Sequence, residues 1–293
     1  MKIIRQFSTV ADWIDAAQVE QDHLEPMAHR GSHTYQSIRW SGVAKRDDAF
    51  TLLRNGYPEG TNQMQEILAA IKSTIKLPTI EQYIESDIEG SCPNVEAFVQ
   101  GLPEDMFAFK EIERDQTPTF INVQLEACVS AFVQPFQMQM VGAALYAAME
   151  SLKAQGIAIQ YTLTHTVATS YSRKEIWQSQ VPISANLDLD STSYLLTHPS
   201  VLRTIVFSLM EHEDESTRNL FGFQTGKGRR TGYGSPCDVR MPEANVFLTM
   251  NRLTQLITSP AQAIAQATKL AQDLVDSKFE CYAMAEDFMP WED

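Results

Sequence analysis

The chain has few of the features that mark membrane, secreted or zinc-binding proteins. It contains no run of 18 or more apolar residues, so the sequence predicts no transmembrane helix. Its first stretch, MKIIRQFSTVADWIDAA, lacks the long apolar centre and the small-residue cleavage site of a signal peptide. The four cysteines are far apart, and no pair has the CxxC spacing of a zinc knuckle or a redox dithiol. We therefore expect a cytoplasmic protein whose thiols are reduced.

Positive charge is also scarce. The 293 residues include 23 lysines and arginines against 37 aspartates and glutamates, which gives a net charge of −14. Because affinity for nucleic acid comes largely from cations that neutralise phosphates, this balance argues against general DNA binding. The hydrophobic fraction of 44% and the charged fraction of 20% are those of an ordinary globular protein. The length suits one large α/β domain with additions, or two smaller domains.

The patterns in residues 1–116 predict a mainly helical region that packs on the rest of the chain. In GVAKRDDAFTLLRNG the apolar residues fall near one another on a helix, and Gly56 suits its C-terminal cap. In NQMQEILAAIKSTIKLP apolar residues recur at intervals of three and four. CPNVEAFVQGLPEDM is typical of a further short helix. Because these helices are short, we expect the region to wrap the core rather than to fold alone.

Residues 117–293 alternate between strands and helices, which predicts an α/β domain. The β-branched and apolar residues of PTFINVQLEACVSAFV indicate a buried strand, and a long helix is expected between Pro135 and Gly156. IAIQYTLTHTVAT is typical of a second strand, so these elements predict a βαβ unit with parallel strands. The fold class that follows is α/β, with a doubly wound, mostly parallel sheet.

The remaining patterns continue the same alternation. Further elements are expected as strands in QVPISANLDL and NVFLTM, two short helices broken at Pro199, and a terminal helix in PAQAIAQATKLAQDLVDSKF. The predicted inward face of the long helix consists of Phe136, Met140, Ala143, Ala144, Ala147 and Leu152. Its many small residues would permit close approach to a sheet.

Five segments between Gly42 and Pro236 resemble a family of uncharacterised phage and prophage proteins built on a von Willebrand factor A (vWA)-like core. They are GVAKRDDAFTLLRNGYPEG, GSCPNVEAFVQGLPEDM, INVQLEACVS with its small-residue helix, LDLDSTSYLLTHPSVLRTIVFSLME, and GYGSP. The resemblance implies a vWA-like (Rossmann-like) scaffold and a phage protein in the cytoplasm of an infected bacterial host. Many vWA proteins work beside MoxR-type AAA+ ATPases, so it also implies an ATPase of that type as a partner.

Typical vWA domains bind Mg²⁺ or Mn²⁺ through a D-x-S-x-S motif that ends the first strand. Counted from Asn122, this chain has Asn122, Gln124 and Glu126 at the three spacings; counted from Glu126, it has Glu126, Cys128 and Ser130. Neutral amides bind a hard cation less strongly than carboxylates do, and long side chains crowd a tight site. We therefore expect a degenerate site without a cofactor, whose polar groups cap the following helix. Retained Mg²⁺ binding is the alternative.

The segment LDLDSTSY offers Asp188 and Asp190 next to three hydroxyl residues. Closely spaced carboxylates and hydroxyls can gather Mg²⁺. They are also typical of a helix N-cap, in which Asp190 or Ser191 accepts hydrogen bonds from the first backbone amides. We favour the cap and keep both aspartates as candidate metal ligands.

The run GKGRRTGYGSP is the densest group of cations in this acidic chain. Lys227, Arg229 and Arg230 lie among glycines, but the run lacks the Gly-Lys-Ser/Thr ending of a phosphate-binding loop. A solvated loop would explain it. The sharper hypothesis is a site for an anionic partner, either protein or nucleic acid, in which arginines contact phosphate or carboxylate and Tyr233 stacks on a base.

The sequence shows no familiar catalytic motif. HExxH and G-x-S-x-G are absent. His165 and His198 are expected to be hydrogen-bonded structural residues, and Arg203 is expected to pair with an acidic neighbour. These absences favour a non-enzymatic protein-interaction module. A nucleic-acid-binding accessory factor for phage transcription or replication is the alternative, and an Mg²⁺-dependent enzyme using Asp188, Asp190 and Glu126 is the third hypothesis.

Overall fold

The computed structural model describes residues 1–18, 40–72, 84–87, 92–93, 99, 106–109, 120–153, 158–169, 174–184, 187–223 and 233–276. The fold is α/β, with a mixed, mostly parallel sheet and helices around it. The strands are β1 (Lys2–Gln6), β2 (Ile84–Asp87), β3 (Cys92–Pro93), β4 (Met106–Phe109), β5 (Phe120–Glu126), β6 (Ala158–Ala168), β7 (Ile176–Ile183), β8 (Ser235–Pro236) and β9 (Val246–Thr249). The α-helices are α1 (Val10–Gln18), α2 (Arg46–Asn55), α3 (Pro58–Lys72), α4 (Pro135–Lys153), α5 (Leu189–Thr197), α6 (Phe207–Glu211), α7 (Glu215–Phe221), α8 (Met250–Leu256) and α9 (Pro260–Asp276). A π-helical segment, Val201–Val206, runs directly into α6.

The chain divides into two compact units. Met1–Ile75 and Pro118–Asp293 form the first unit, and Lys76–Thr117 form the second. In the second unit β2, β4 and β3 pair in that order as an antiparallel sheet. The short helix expected in CPNVEAFVQGLPEDM lies largely outside the described residues.

The main sheet has the strand order β1-β7-β6-β5-β9, and β8 pairs with the end of β6. β5 pairs in parallel with both β6 and β9, and β1 pairs in parallel with β7. β6 and β7 are antiparallel neighbours. The predicted βαβ unit is confirmed as β5, α4 and β6. The strand expected in QVPISANLDL begins earlier, at Ile176, and β1 was not predicted at all.

The register of the strands gives the sheet one apolar face and one polar face. Because Glu126 pairs with Thr164 and Thr164 pairs with Gln180, these side chains share one face. The residues between them, such as Leu125 and Leu163, point to the other face and are buried in the core. That core also holds the side chains of α1, α4 and α5.

Direct backbone contact joins α4 to α5. Pro135 is the first residue of α4, as predicted, and most residues of the helix are buried. A Cβ atom at position 142 would lie 1.9 Å from the carbonyl oxygen of Leu196 in α5. Only glycine permits this crossing, because the atom that a methyl group would meet belongs to the backbone.

None of the helices in the described part of the chain has both the length and the apolar content that crossing a bilayer requires.

Candidate functional site

The last residue of β5 carries a carboxyl group that is buried and hydrogen-bonded by the protein. Glu126 is the last residue of β5, and its side chain is fully buried. Its Oε1 atom accepts hydrogen bonds from the backbone amides of Cys128 (3.1 Å) and Thr166 (2.8 Å). Its Oε2 atom accepts hydrogen bonds from the hydroxyl groups of Thr164 (2.9 Å) and Thr166. Donors from the chain therefore engage both carboxylate oxygens.

The burial of this site opposes the charged forms of its ionisable groups. Burial raises the pKa of Glu126 to about 8, and its hydrogen bonds lower the pKa only in part. Burial likewise raises the pKa of the Cys128 thiol well above its ordinary value. The Ser130 hydroxyl accepts a hydrogen bond from the amide of Phe132 (3.4 Å). Glu126, Cys128 and Ser130, one of the two predicted ligand frames, thus offer no charged, open ligand set at neutral pH.

The amide of Gln124 is engaged at both ends. Its Nε2 atom donates to the Thr164 hydroxyl (3.0 Å) and to the carbonyl of Val239 (2.8 Å). Its Oε1 atom accepts a hydrogen bond from the backbone amide of Met241 (2.7 Å). Gln124 thereby holds Val239 and Met241 against the polar face of the sheet.

The spacing along β5 separates the three residues of the other predicted frame. Alternate residues of a strand are about 6.6 Å apart, whereas Mg²⁺ takes oxygen ligands at about 2.1 Å. Asn122, Gln124 and Glu126 therefore cannot converge on one ion. Asn122 instead donates from Nδ2 to the carbonyl of Glu243 (3.3 Å). These residues do not fit the ion that the vWA resemblance implies.

The structure does not bring the two candidate aspartates to Glu126. Because β7 is antiparallel to β6, the residues that follow β7 start from the opposite edge of the sheet. Asp188 is the N-cap of α5 and accepts a hydrogen bond from the amide of Ser191 (2.8 Å). The segment therefore caps a helix as expected, but the capping residue is Asp188 and not Asp190 or Ser191. Asp190 accepts a hydrogen bond from the hydroxyl of Thr61 in α3.

We expect calorimetric titration with MgCl₂ or MnCl₂ to give no saturable heat. Within the described residues, no three His, Cys, Asp or Glu side chains are grouped in a way that could hold an ion. A Glu126→Gln variant is the matched control and should give the same trace as the native chain. A 1:1 isotherm that disappears in this variant would contradict the expectation.

Tyr233 is the one residue of the predicted anion-binding set that the structure describes. Its ring stacks on Phe207 with the ring centres 3.6 Å apart and the planes 5° from parallel. Its hydroxyl donates to the carboxylate of Glu211. A ring packed in this way does not present that face for a base to stack on. Lys227, Arg229 and Arg230 lie outside the described residues, so their role as an anion site stays a prediction.

A serine–histidine pair that sequence analysis did not identify lies just after α5. His198 Nδ1 and Ser200 Oγ are 2.7 Å apart, and Ser200 Oγ is 2.6 Å from the hydroxyl of Tyr194. All three side chains are buried, and burial lowers the pKa of His198 to about 4. The pair is therefore closed to a substrate, and the prediction that His198 is a hydrogen-bonded structural residue is confirmed.

His165 differs from its prediction. It is fully buried, and among the described residues neither ring nitrogen has a hydrogen-bond partner. Its ring stacks instead on Trp13 of α1, with the ring centres 5.9 Å apart. Burial lowers the pKa of His165 to about 3, so it is neutral at physiological pH.

Three large apolar side chains are exposed on the segments that follow the parallel neighbours β5 and β9. Phe132, in the loop after β5, is 91% exposed; Phe136, in the first turn of α4, is 48% exposed; and Leu256, at the end of α8, is 50% exposed. Gln137 Nε2 donates to the carbonyl of Thr254 (3.1 Å) and ties the start of α4 to the end of α8. We call Phe132, Phe136 and Leu256 the strand-end patch. The prediction that Phe136 faces inward was wrong.

Arg203 holds the loop that carries Phe132. Its buried guanidinium donates to the carbonyls of Val133 (2.6 Å) and Trp40 and lies 4.7 Å from the centre of a Trp40 ring. Trp40 Nε1 in turn donates to the carbonyl of Ala131 (3.1 Å). The acidic partner expected for Arg203 is thus replaced, among the described residues, by carbonyls and an aromatic ring. Burial lowers the pKa of Arg203 to about 10, so it is still charged at neutral pH.

The comparisons with known proteins give a family but no activity. A family model described as "Domain of unknown function (DUF7192)" matches residues 2–269. No curated protein and no solved structure matches the chain.

Proposed function

We propose that this chain, which belongs to the family described as Domain of unknown function (DUF7192), is a non-catalytic protein-interaction module. The observation that supports the proposal most directly is the strand-end patch. It lies on the segments that follow β5 and β9, and the carboxyl group at the end of β5, that of Glu126, is buried and fully hydrogen-bonded. A metal-dependent site at this edge of the sheet would require accessible oxygen ligands, but the exposed side chains of the patch are apolar. That arrangement favours contact with a protein over chemistry on a small substrate.

The sheet supports a vWA-like scaffold for this module. β5 lies between β6 and β9 in the parallel part of the sheet, and α4 follows it as the longest described helix. In such open sheets, ligands are typically contacted at the carboxyl ends of the strands. The strand-end patch lies at that edge. A vWA-like scaffold suggests partner binding only by analogy between folds. The exposed residues of the patch make the proposal specific to this chain.

The composition of the patch is that of a protein-binding surface. Phe and other large apolar residues are enriched at interfaces, and exposed apolar groups on an otherwise polar surface often mark such contacts. The loop with Phe132 is held by Arg203 and Trp40 through its carbonyl groups. A pre-ordered loop loses less conformational entropy on binding, which increases the affinity that Phe132 can provide.

The partner we propose is a phage or host protein in the cytoplasm of an infected bacterium. A MoxR-type AAA+ ATPase is the specific partner that the vWA resemblance implies. The exposed apolar side chains fit a partner with an apolar pocket, and the net charge of −14 would steer a basic partner toward the chain.

We expect the double substitution Phe132→Asp and Phe136→Asp to abolish stoichiometric capture of the partner from infected cells. A charge placed in an apolar contact must be desolvated, so binding should weaken at least about tenfold. Affinity purification with quantitative mass spectrometry, followed by binding of the purified partner, measures the effect. Because both side chains are exposed, the melting temperature should stay unchanged.

The matched control is Leu220→Asp, since Leu220 is a 41% exposed apolar residue on α7, outside the patch. It should capture the partner as the native chain does. Light scattering during gel filtration shows whether the patch instead joins two copies of the chain. Identical capture by all three proteins, or a patch-dependent dimer without a partner, would refute the proposal.

A further inference from the structure

A cleft of about 500 Å³ lies over the polar face of the sheet. Its walls include Gln6, Asn122, Gln160, Thr162, Gln180 and Glu243. The volume is within the usual range of small-ligand sites. We call it the amide cleft, because four of these six side chains are carboxamides.

Hydrogen bonds fix which end of Gln180 faces the amide cleft. The Thr166 hydroxyl donates to Glu126, so its oxygen is left to accept from Nε2 of Gln178 (2.8 Å). Oε1 of Gln178 then accepts from Nε2 of Gln180 (2.7 Å). The donor end of Gln180 is thus turned inward. Its Oε1 atom, which receives no hydrogen bond from the described residues, is left for the cleft.

Asn122 is oriented in the same sense. Its Nδ2 atom donates to the carbonyl of Glu243, so Oδ1 is the end without a partner among the described residues. Glu243, an exposed residue that also lines the cleft, adds a negative charge. The lining residues that the structure describes include no lysine or arginine. The two oriented amides therefore present acceptors to the cleft, and Glu243 contributes negative charge.

We propose that the amide cleft binds an ammonium or guanidinium group. Such a group carries only hydrogen-bond donors and a positive charge, which matches oriented amide oxygens and a carboxylate. The net charge of −14 raises the local concentration of cations and supports the same class of ligand. The group belongs either to a free small molecule or to a basic side chain of a peptide, and both offer the same chemistry to the cleft.

Binding of arginine amide tests the proposal when compared with citrulline amide, its neutral isostere. We expect chemical-shift changes in the side-chain amides of Gln180 and Asn122 with arginine amide, and at least about tenfold weaker binding of citrulline amide. Putrescine against 1,4-butanediol repeats the comparison for an ammonium group. Acetyl-Gly-Arg-Gly-amide shows whether a peptide binds more tightly than the free group and so identifies the source. If the charged and the neutral compound bound equally well in both pairs, or if no probe bound, the proposal would be overturned.

Two substitutions distinguish the effect of the charge of Glu243 from the effect of the orientation of the amide side chains. Glu243→Gln removes the charge of an exposed carboxylate and should weaken binding of arginine amide about fivefold. Thr166→Val removes the hydroxyl that orients Gln178 and Gln180 without touching the cleft, and should have a similar effect. Glu215→Gln, an equal change of net charge on α7, is the control and should leave the affinity unchanged. Equal binding by Glu243→Gln and Glu215→Gln would refute a role for the cleft even if Thr166→Val failed to fold.

Discussion

Replacement of Gly142 by alanine is expected to destabilise the protein by about 3 kcal/mol or more, although the same change in an ordinary helix is stabilising. The added Cβ atom would lie 1.9 Å from the carbonyl oxygen and 2.6 Å from the carbonyl carbon of Leu196. Both atoms belong to the backbone of α5, so no side-chain rotation relieves the clash. Urea unfolding of the native and substituted chains measures the difference.

Gly222→Ala is the matched control for this prediction. Gly222 has a φ of 78° and no atom within 4 Å of an added Cβ, so alanine meets only the strain of the left-handed conformation. The expected loss is about 1 kcal/mol. If Gly142→Ala cost no more than this control, α4 and α5 would not be in rigid backbone contact.

The contact at Gly142 also affects the proposed interaction surface. α4 begins at Pro135, directly after the loop that carries Phe132, and Phe136 lies in its first turn. A helix displaced by a methyl group at position 142 would therefore carry Phe136 with it. We infer that the small residues of α4 serve helix-to-helix packing, which sets the position of the strand-end patch.

Helices and strands whose hydrophobic pattern and end residues lie within one segment of the chain could be predicted from the sequence. β5, α4 and β6 follow from a β-branched run, a proline at the first helical position and a second apolar run. β9 and α9 were also found within a few residues of their observed bounds. In each case the hydrophobic period and the end signals lie within one short stretch of the chain.

The elements that depend on distant residues could not be predicted. β1 is a five-residue strand whose partner is β7, and Lys2 pairs with Ile176 across most of the chain. The orientation of Phe136 and the partners of Arg203 depend in the same way on packing between remote segments. Local propensity carries no information on such contacts.

The candidate site shows the same limit at the level of single side chains. The polar alternation Asn122, Gln124 and Glu126 was visible in the sequence and was interpreted as the remains of a metal site. Their partners come from β6 and from residues 239–243, which are far away in sequence. A comparable alternation in β6 and β7 was the available signal for a polar sheet face, but only the register shows that the three strands present it together.

The stability of the protein is expected to fall as the pH rises from 6.5 to 8.5, and Glu126 is the cause. Its pKa is about 8 in the folded chain, against an ordinary value of 4.5. A carboxyl group with a raised pKa contributes stability that is fully present below pH 4.5 and is lost as the pH rises through 8, because the buried charge must form. Over this window the loss is on the order of 2 kcal/mol.

The window from pH 6.5 to 8.5 separates this effect from that of the buried histidines. The pKa values of His165 and His198 are lowered to about 3 and about 4, so their contribution is present above pH 6.5 and is lost only on acidification. Glu126→Gln cannot ionise and should show a nearly flat profile across the same window, whereas the exposed control Glu215→Gln should keep the native slope. Urea midpoints at several pH values provide the comparison.

A direct titration shows whether the slope belongs to Glu126. Carbon-13 NMR of the glutamate carboxyl groups should show one resonance that titrates near pH 8 in the native chain and is absent in Glu126→Gln. If that resonance instead titrated near pH 4, the four hydrogen bonds to Glu126 would outweigh its burial, and the stability profile would be flat in the native chain as well. The carboxylate would then be a permanent buried anion held by Thr164, Thr166 and Cys128. An ionised Glu126 can only accept hydrogen bonds, so that result would also establish the Thr166 hydroxyl as the donor that orients Gln178 and Gln180.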